Sequence, residues 1–191
     1  MEEKLSTKIY MSIRNDIING VIDARTFLTE SELAVKFGVS KAPVRDALHL
    51  LCNQEYLISY PRKGYMVALQ STEEARHMQE VRTHLEKMSI ALAIQNATDA
   101  EILSLKSIPI EDRSSTDPDQ SSNTRFHIRL AEISHNSYLP TVVGDLLRKI
   151  ARVWVNRDID LSDHDQIVDA MLERDTEKAT ALLLKDLNRV N

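Results

Sequence analysis

Leu28-Thr-Glu-Ser-Glu-Leu-Ala34 and, two residues further on, Phe37-Gly-Val-Ser-Lys-Ala-Pro-Val-Arg-Asp-Ala-Leu48 form the stretch that decides the fold. Thr29 can cap a helix and Glu32 can reach back to it, the arrangement of a capping box. Leu33, Ala34 and Phe37 give that helix one apolar side, and Gly38 stops it. Val39 and Ser40 make a tight turn, from which Ser40 caps another helix. Pro43 falls in its first turn, where a missing N–H costs little, and Val44, Ala47, Leu48 and Leu51 face inward. Upstream, Leu5–Gly20 carries Ile9, Ile13, Ile17 and Ile18 on one side, an amphipathic helix ended by Gly20. Downstream, the strand-like runs Tyr56–Tyr60 and Gly64–Leu69 flank a turn at Pro61-Arg-Lys-Gly64. Helix, helix, turn, helix and a basic-tipped hairpin is the order of a winged helix-turn-helix.

The remainder reads differently. Ser71-Thr-Glu-Glu74 and Thr98-Asp-Ala-Glu101 are further capping boxes, the first opening a long helix to about Gln95. Residues 108–123 are polar and rich in Pro, Ser and Asp, and read as a loop. Helical periodicity resumes at Thr124–Ser134, Tyr138–Val155, Ser162–Leu172 and Thr176–Arg189, with no strand alternation after residue 70. The expected protein is mainly α. A winged helix-turn-helix DNA-binding domain is expected over 1–69 and an all-helical bundle over 70–191.

Of 191 residues, 42% are hydrophobic, enough for packed cores, and 28% are charged. The single cysteine, Cys52, excludes an intrachain disulfide and fits a reducing compartment. No signal-peptide pattern and no apolar run of membrane-spanning length stands in the sequence, so the expected location is the cytoplasm, with no membrane partner. The net charge of −5 belongs to the second part. Residues 1–69 carry nine Lys and Arg against eight Asp and Glu, whereas residues 70–191 carry fifteen against twenty-one. A near-neutral first part still binds phosphate if its cations cluster.

They do cluster. A helix inserted in the major groove presents its first turns to base edges, and here those turns carry Lys41 and Arg45, four apart on one face. Arginine can bond guanine O6 and N7 with two hydrogen bonds, and Ser40 with the first N–H groups can hold a phosphate. Arg62, Lys63 and Gly64 at the hairpin tip suit the minor groove or the backbone. Thr29, Ser31 and Lys36 lie near the start and outer side of the preceding helix, close to flanking phosphates. The bland alternative for these cations is a solvated face. Together with Pro61-Arg-Lys-Gly-Tyr-Met-Val67, the two opening motifs resemble the GntR family of bacterial regulators over most of residues 5–69. Ser31 and Lys41 stand where that family usually has arginine. A hydroxyl and an ammonium do not replace a guanidinium fork, so an altered operator or weaker specificity is expected, with the binding mode kept.

Glu80-Val-Arg82-Thr-His-Leu-Glu86, Asn123-Thr-Arg-Phe-His127, Ser134-His-Asn136, Asp163-His164-Asp-Gln-Ile-Val-Asp-Ala170 and Asp186 occur in an order that resembles the FadR-type ligand-binding domain (FCD) of the same regulators. Many such domains hold a metal with one Asp and three His. The resemblance puts Asn123 at the Asp position, His127 and His164 at two of the His positions, and Asp186 at the third. Two imidazoles and a carboxylate make a divalent site for Zn, Ni or Mn, with Asn123 as a weak oxygen donor. Losing one His lowers affinity for zinc-like ions and favours harder ones. The alternative is that His127 and His164 are hydrogen-bonded pocket residues without a metal. The resemblance also places Arg82, with His127 and His164, in a pocket for a small organic-acid effector, whose carboxylate Arg82 would pair. The competing reading of Arg82 is an intrahelical pair with Glu86. Trp154, Tyr138 and Met171 are expected in the core.

The resulting expectation is a repressor, not an enzyme: a homodimer on palindromic double-stranded operator DNA, released or retained by its effector. Two other classes stay open. One is a metal-dependent hydrolase using His127, His164 and Asp186, and the other is an interaction module that binds no DNA.

Overall fold

The structure is a computed structural model and describes residues 4–69, 71–108, 121–151, 153 and 162–188. Trp154 and most of the expected 108–123 loop lie outside the described residues. The chain divides into two compact units, Met1–Leu69 and Gln70–Asn191.

The first unit contains α1 (Leu5–Ile18), α2 (Glu30–Phe37), α3 (Lys41–Asn53), β1 (Leu57–Tyr60) and β2 (Gly64–Val67). Its core joins Ile9 and Ile13 of α1 to Val44, Leu48 and Leu51 of α3, with Leu33 and Ala34 of α2 and Tyr56, Leu57 and Tyr65 closing it. Ile13, Val44, Leu48 and Leu51 are fully buried, and each such side chain stabilises the unit by about 1.5–3 kcal/mol. The fully buried Arg14 donates from Nε to the Tyr56 hydroxyl at 3.1 Å, so its charge sits on a polar partner. Cys52 packs half-buried against this core, and burial pushes its thiol pKa up, as suits a packing residue.

Thr29 accepts a hydrogen bond from the Glu32 N–H and donates to the Glu32 carboxylate. Gly38 ends α2 in the left-handed conformation at φ 65°, and the Val39 N–H then closes onto Ala34 O. Ser40 does occupy the N-cap position of α3, but its side chain makes no capping hydrogen bond. The exposed Ser40 hydroxyl, expected to cap α3, therefore has no helix-capping role. β1 and β2 pair antiparallel, Leu57 opposite Val67 and Tyr60 opposite Gly64. A third short edge is added where Leu28 and Tyr65 exchange backbone hydrogen bonds of 2.7 and 2.9 Å.

Among its described residues the second unit has only helices as regular elements: α4 (Thr72–Asn96), α5 (Asp99–Ser104) running into a 3-10 turn at Leu105–Ser107, α6 (Ser122–Glu132), α7 (Leu139–Ala151), α8 (Ser162–Leu172) and α9 (Thr176–Asn188). Of the three expected capping boxes, Ser71 with Glu74 and Thr98 with Glu101 form in full, whereas the Glu32 carboxylate meets the Thr29 hydroxyl instead of its backbone N–H. The 25-residue α4 is the spine, packing against α6, α7 and α9, while α8 pairs with α9. Ile90, Phe126, Leu130, Ile167, Met171 and Leu183 build the main core. Met171 is therefore core as expected. Tyr138 is not: it is 81% exposed, because α7 begins one residue later and its ring lies on the approach to the helix. The loop expected over 108–123 is also too long at its end, since α6 has already started at Ser122.

Candidate nucleic-acid interface and metal centre

In the first unit the apolar positions of α3 turn inward and leave Lys41 and Arg45 exposed on its first turns. Ser40, Ser31 and Lys36 are exposed as well, and Lys36 pairs with Asp16 of α1 at 3.0 Å. Arg62 and Lys63 form the exposed tip between β1 and β2, closed by a 3.1 Å hydrogen bond from the Lys63 N–H to Tyr60 O. Arg62 itself has φ 65°, a conformation that costs an L-residue roughly 1–2 kcal/mol and usually falls to Gly or Asn. Gly64 has φ 113°, and a Cβ there would stand 2.3 Å from Leu28 O; only glycine lets the wing approach the segment that leads into α2. Thr29 is occupied by its cap.

The exposed guanidinium of α3 has a partner on α2. Arg45 donates from Nε and Nη2 to the two carboxylate oxygens of Glu30, at 2.9 and 2.8 Å. In the sequence, Glu30 has a sufficient local reason to exist, an acid in the first turn of α2, and nothing there signals its long-range partner.

In the second unit, α4 buries the stripe Ala75, Gln79, Arg82, Glu86, Ser89, Ile90 and Ala93. Its ends are apolar and its middle is charged. Burying charges is unfavourable unless they are paired, and here they are. Arg82 Nε donates to Glu86 Oε1 at 2.5 Å, and Gln79 Nε2 donates to Leu187 O at 3.0 Å. The second Glu86 oxygen meets His127 Nδ1 of α6 at 2.5 Å. His127 Nε2 lies 3.3 Å from Asp186 Oδ2 of α9, and His164 Nε2 of α8 lies 3.6 Å from Asp186 Oδ1. Phe126 stacks on the His164 ring at 3.8 Å. The i+4 pairing of Arg82 with Glu86 is thus present, but fully buried rather than at the surface, and Arg82 Nη2 has no hydrogen-bond partner.

Three helices bring His127, His164 and Asp186 together, with one potential ligand atom from each lying within 4.8 Å of the others. Both imidazole Nε2 atoms are buried without a hydrogen-bond partner. Asn123 is buried one helical turn before His127. Burial works against charge at Asp186 and Glu86, but it is outweighed by His127 and His164 at the first and by Arg82 and His127 at the second. Both carboxyl pKa values are held below their ordinary range. Burial likewise opposes a charged His127, yet Glu86 and Asp186 together outweigh it and raise the pKa, whereas burial lowers that of His164. The carboxylates favour positive charge between the rings, which a proton or a divalent cation supplies. Two orphaned imidazole nitrogens, a deprotonated carboxylate and an outer carboxylate orienting His127 form a donor set that fits a divalent metal. In the sequence Glu86 reads only as an i+4 neighbour of Arg82. The signal for its second role was that positions 79, 82 and 86 share the buried stripe.

Residues 5–67 match the family described as bacterial regulatory proteins, gntR family, and residues 77–189 match the FCD domain. The Nta operon transcriptional regulator of Aminobacter aminovorans is 26% identical over 85% of this chain and 81% of its own. The HTH-type transcriptional repressor GlaR of Escherichia coli is 27% identical over 93% and 90%. Among solved structures, E. coli McbR/YncC superposes with a TM-score of 0.70 at 18% identity, covering 98% of this chain and 95% of that one. No helix among the described residues is long and apolar enough to cross a membrane. The chain therefore belongs to the GntR family of bacterial transcription regulators, with an FCD domain as its second part.

Proposed function

We propose that this regulator is a homodimeric repressor that reads a palindromic operator through α3 and is controlled by a small organic acid bound in the FCD domain, in the cytoplasm. The observation that carries the DNA-reading part is the division of α3: Val44, Ala47, Leu48 and Leu51 are buried while Lys41 and Arg45 are exposed on its opening turns. Arg45 is the proposed base reader. Lys41, Ser40, Ser31 and Lys36 are proposed for the phosphates that flank it, and Arg62, Lys63 and Gly64 for the wing contact, while the Thr29 hydroxyl, expected at a phosphate, is instead held by Glu32. A two-fold dimer doubles the few base pairs that one helix covers.

For control, the relevant support is the buried Arg82 Nη2 with no partner, in the same cluster as His127 and His164. An orphaned guanidinium N–H favours an acceptor such as a carboxylate. His127, His164 and Asp186, with Asn123 as a weak donor, would hold a divalent cation. Such an ion would supply Lewis acidity toward a bound carboxylate, while Glu86 fixes the His127 ring. The effector changes DNA occupancy only through unequal affinity for the two states of the dimer. A hydrolase reading gains nothing from the relatives cited above, which are regulators.

The test is fluorescence anisotropy on duplexes enriched by the protein from a random pool. Arg45→Ala should weaken binding to the enriched site about ten- to a hundredfold and leave non-specific binding nearly unchanged. Intact specific binding by that variant would refute the assignment of α3.

A further inference from the structure

Arg45 and Glu30 come from different helices, and their geometry is more ordered than an exposed ion pair requires. The two hydrogen bonds run in parallel, Nε to Oε1 and Nη2 to Oε2, although the arginine side chain is 53% exposed. An exposed pair of this kind stabilises a fold little, so stability alone is a weak reason for it. Its consequence lies in what it does to the guanidinium. That group carries five N–H donors in one plane. The pair with Glu30 takes the Nε edge, with one Nη2 proton. It leaves the opposite edge, Nη1 with the second Nη2 proton, which can match guanine O6 and N7.

We propose that Glu30 is the positioning residue for base readout, holding one edge of Arg45 so that the other is presented to a guanine already oriented.

Glu30 is suited to this because its own position is set by other elements. It is the first residue of α2, directly after the Thr29 cap, where the helix N-terminus favours a carboxylate. Tyr65 of β2 lies beside it: burial first, and then the Glu30 carboxylate, push the phenol pKa up. Helix α2, helix α3 and the wing strand therefore meet at one carboxylate. A long side chain that is already restrained loses less freedom on binding. The carboxylate costs some repulsion from DNA phosphates, so its removal has opposite signs under the two readings of it. A shield against DNA, once removed, raises affinity for every duplex. A support for Arg45, once removed, lowers affinity only where Arg45 reads.

The inference rests on α3 reading DNA, and the experiment separates the two. The full-length protein is used to enrich sites from random duplexes. Affinities of the wild type, Glu30→Gln, Glu30→Asp and Arg45→Ala are then measured on the enriched site, on the same site with each G·C pair exchanged, and on an unrelated duplex. Thermal melting of each variant is recorded. We expect Glu30→Gln to lose about five- to tenfold discrimination at the one base pair whose identity Arg45→Ala makes irrelevant. Non-specific affinity should rise only slightly, by the one negative charge removed, and melting should stay unchanged, with partial recovery of discrimination in Glu30→Asp. A Glu30→Gln protein that discriminates like the wild type overturns the inference alone. So does one that binds all duplexes more tightly by one common factor, its discrimination intact, or one that melts early and loses all binding alike. A wild type that enriches no sequence overturns the DNA-reading assignment itself.

Discussion

Arg62 and Gly64 sit two apart at the wing and invite opposite experiments. Arg62 is an L-residue held at φ 65°, where glycine would be relaxed. Its guanidinium is exposed at the hairpin tip and makes no hydrogen bond or ion pair among the described residues that a glycine would forfeit. Arg62→Gly is therefore expected to stabilise the protein slightly, by about 0.5–1 kcal/mol, while weakening DNA binding and reducing its salt dependence by roughly one phosphate contact. Denaturant midpoints and anisotropy at several salt concentrations read the two effects separately. Gly64 is the reverse case. A methyl group there meets Leu28 O at 2.3 Å, a backbone atom that cannot swing aside, so Gly64→Ala should cost about 1–3 kcal/mol and displace the wing. If its denaturant midpoint equals the wild type's, the close approach of the wing to Leu28 is wrong. The residues that the sequence concealed share one property. Glu30 reads as a helix-opening acid and Glu86 as an i+4 partner of Arg82, and each local explanation is sufficient alone. Their partners Arg45 and His127 lie 15 and 41 positions away, a separation that no periodicity encodes.

Elements were far more legible than partners, because what starts and stops a helix is local. The Ser71 and Thr98 capping boxes form as the sequence implies, and Gly38 ends α2 in the conformation that glycine adopts most easily. Ser40 shows the limit. It holds the N-cap position, but its hydroxyl does not turn back to the helix, and a rotamer of an exposed serine is not written in the residue order. The start of α6 was misplaced for a related reason, since Ser121 rather than a residue nearer Thr124 supplies the cap. The α5 cap gives a test at this scale. Thr98→Ala removes both the acceptor for the Glu101 N–H and the hydroxyl bound to its carboxylate, at a cost of about 1 kcal/mol. The Glu101 pKa is lowered to about 2, chiefly by the Thr98 backbone N–H and also by His135. A carboxyl whose folded pKa lies below its unfolded one contributes stability fully above about 4.5, and loses that contribution as the pH falls toward about 2. The stability gap between wild type and Glu101→Gln should therefore narrow across that window. A gap independent of pH from 6 to 2.5 would show that the ionised form is not the one the cap holds.

The whole molecule distributes its charge and its chemistry unevenly. Its net negative charge lies in the FCD part, while the exposed cations of α3 and the wing lie in a nearly neutral first part. The membership of His127, His164 and Asp186 in one site was legible only through the order of motifs shared with a family, because three helices separated by long stretches of chain supply them. The exchange of a histidine for Asp186 is what makes the site testable as a metal centre. A ligand that binds only the folded state at a hundred times its Kd stabilises by about 2.7 kcal/mol, which for a unit of this size raises Tm by on the order of 10 °C. Zinc or manganese added to chelator-treated protein should raise Tm in this way, and EDTA should reverse it. Asp186→His supplies a third imidazole and should shift preference toward zinc over manganese. Asp186→Asn removes the anionic ligand and should abolish the response to both, while leaving the Glu86 contact with His127 to hold the ring. Should neither ion move Tm in the wild type, with binding also absent by calorimetry, the cluster is a network of buried ion pairs centred on Asp186. An organic acid must then be sought that raises Tm without any metal, through Arg82.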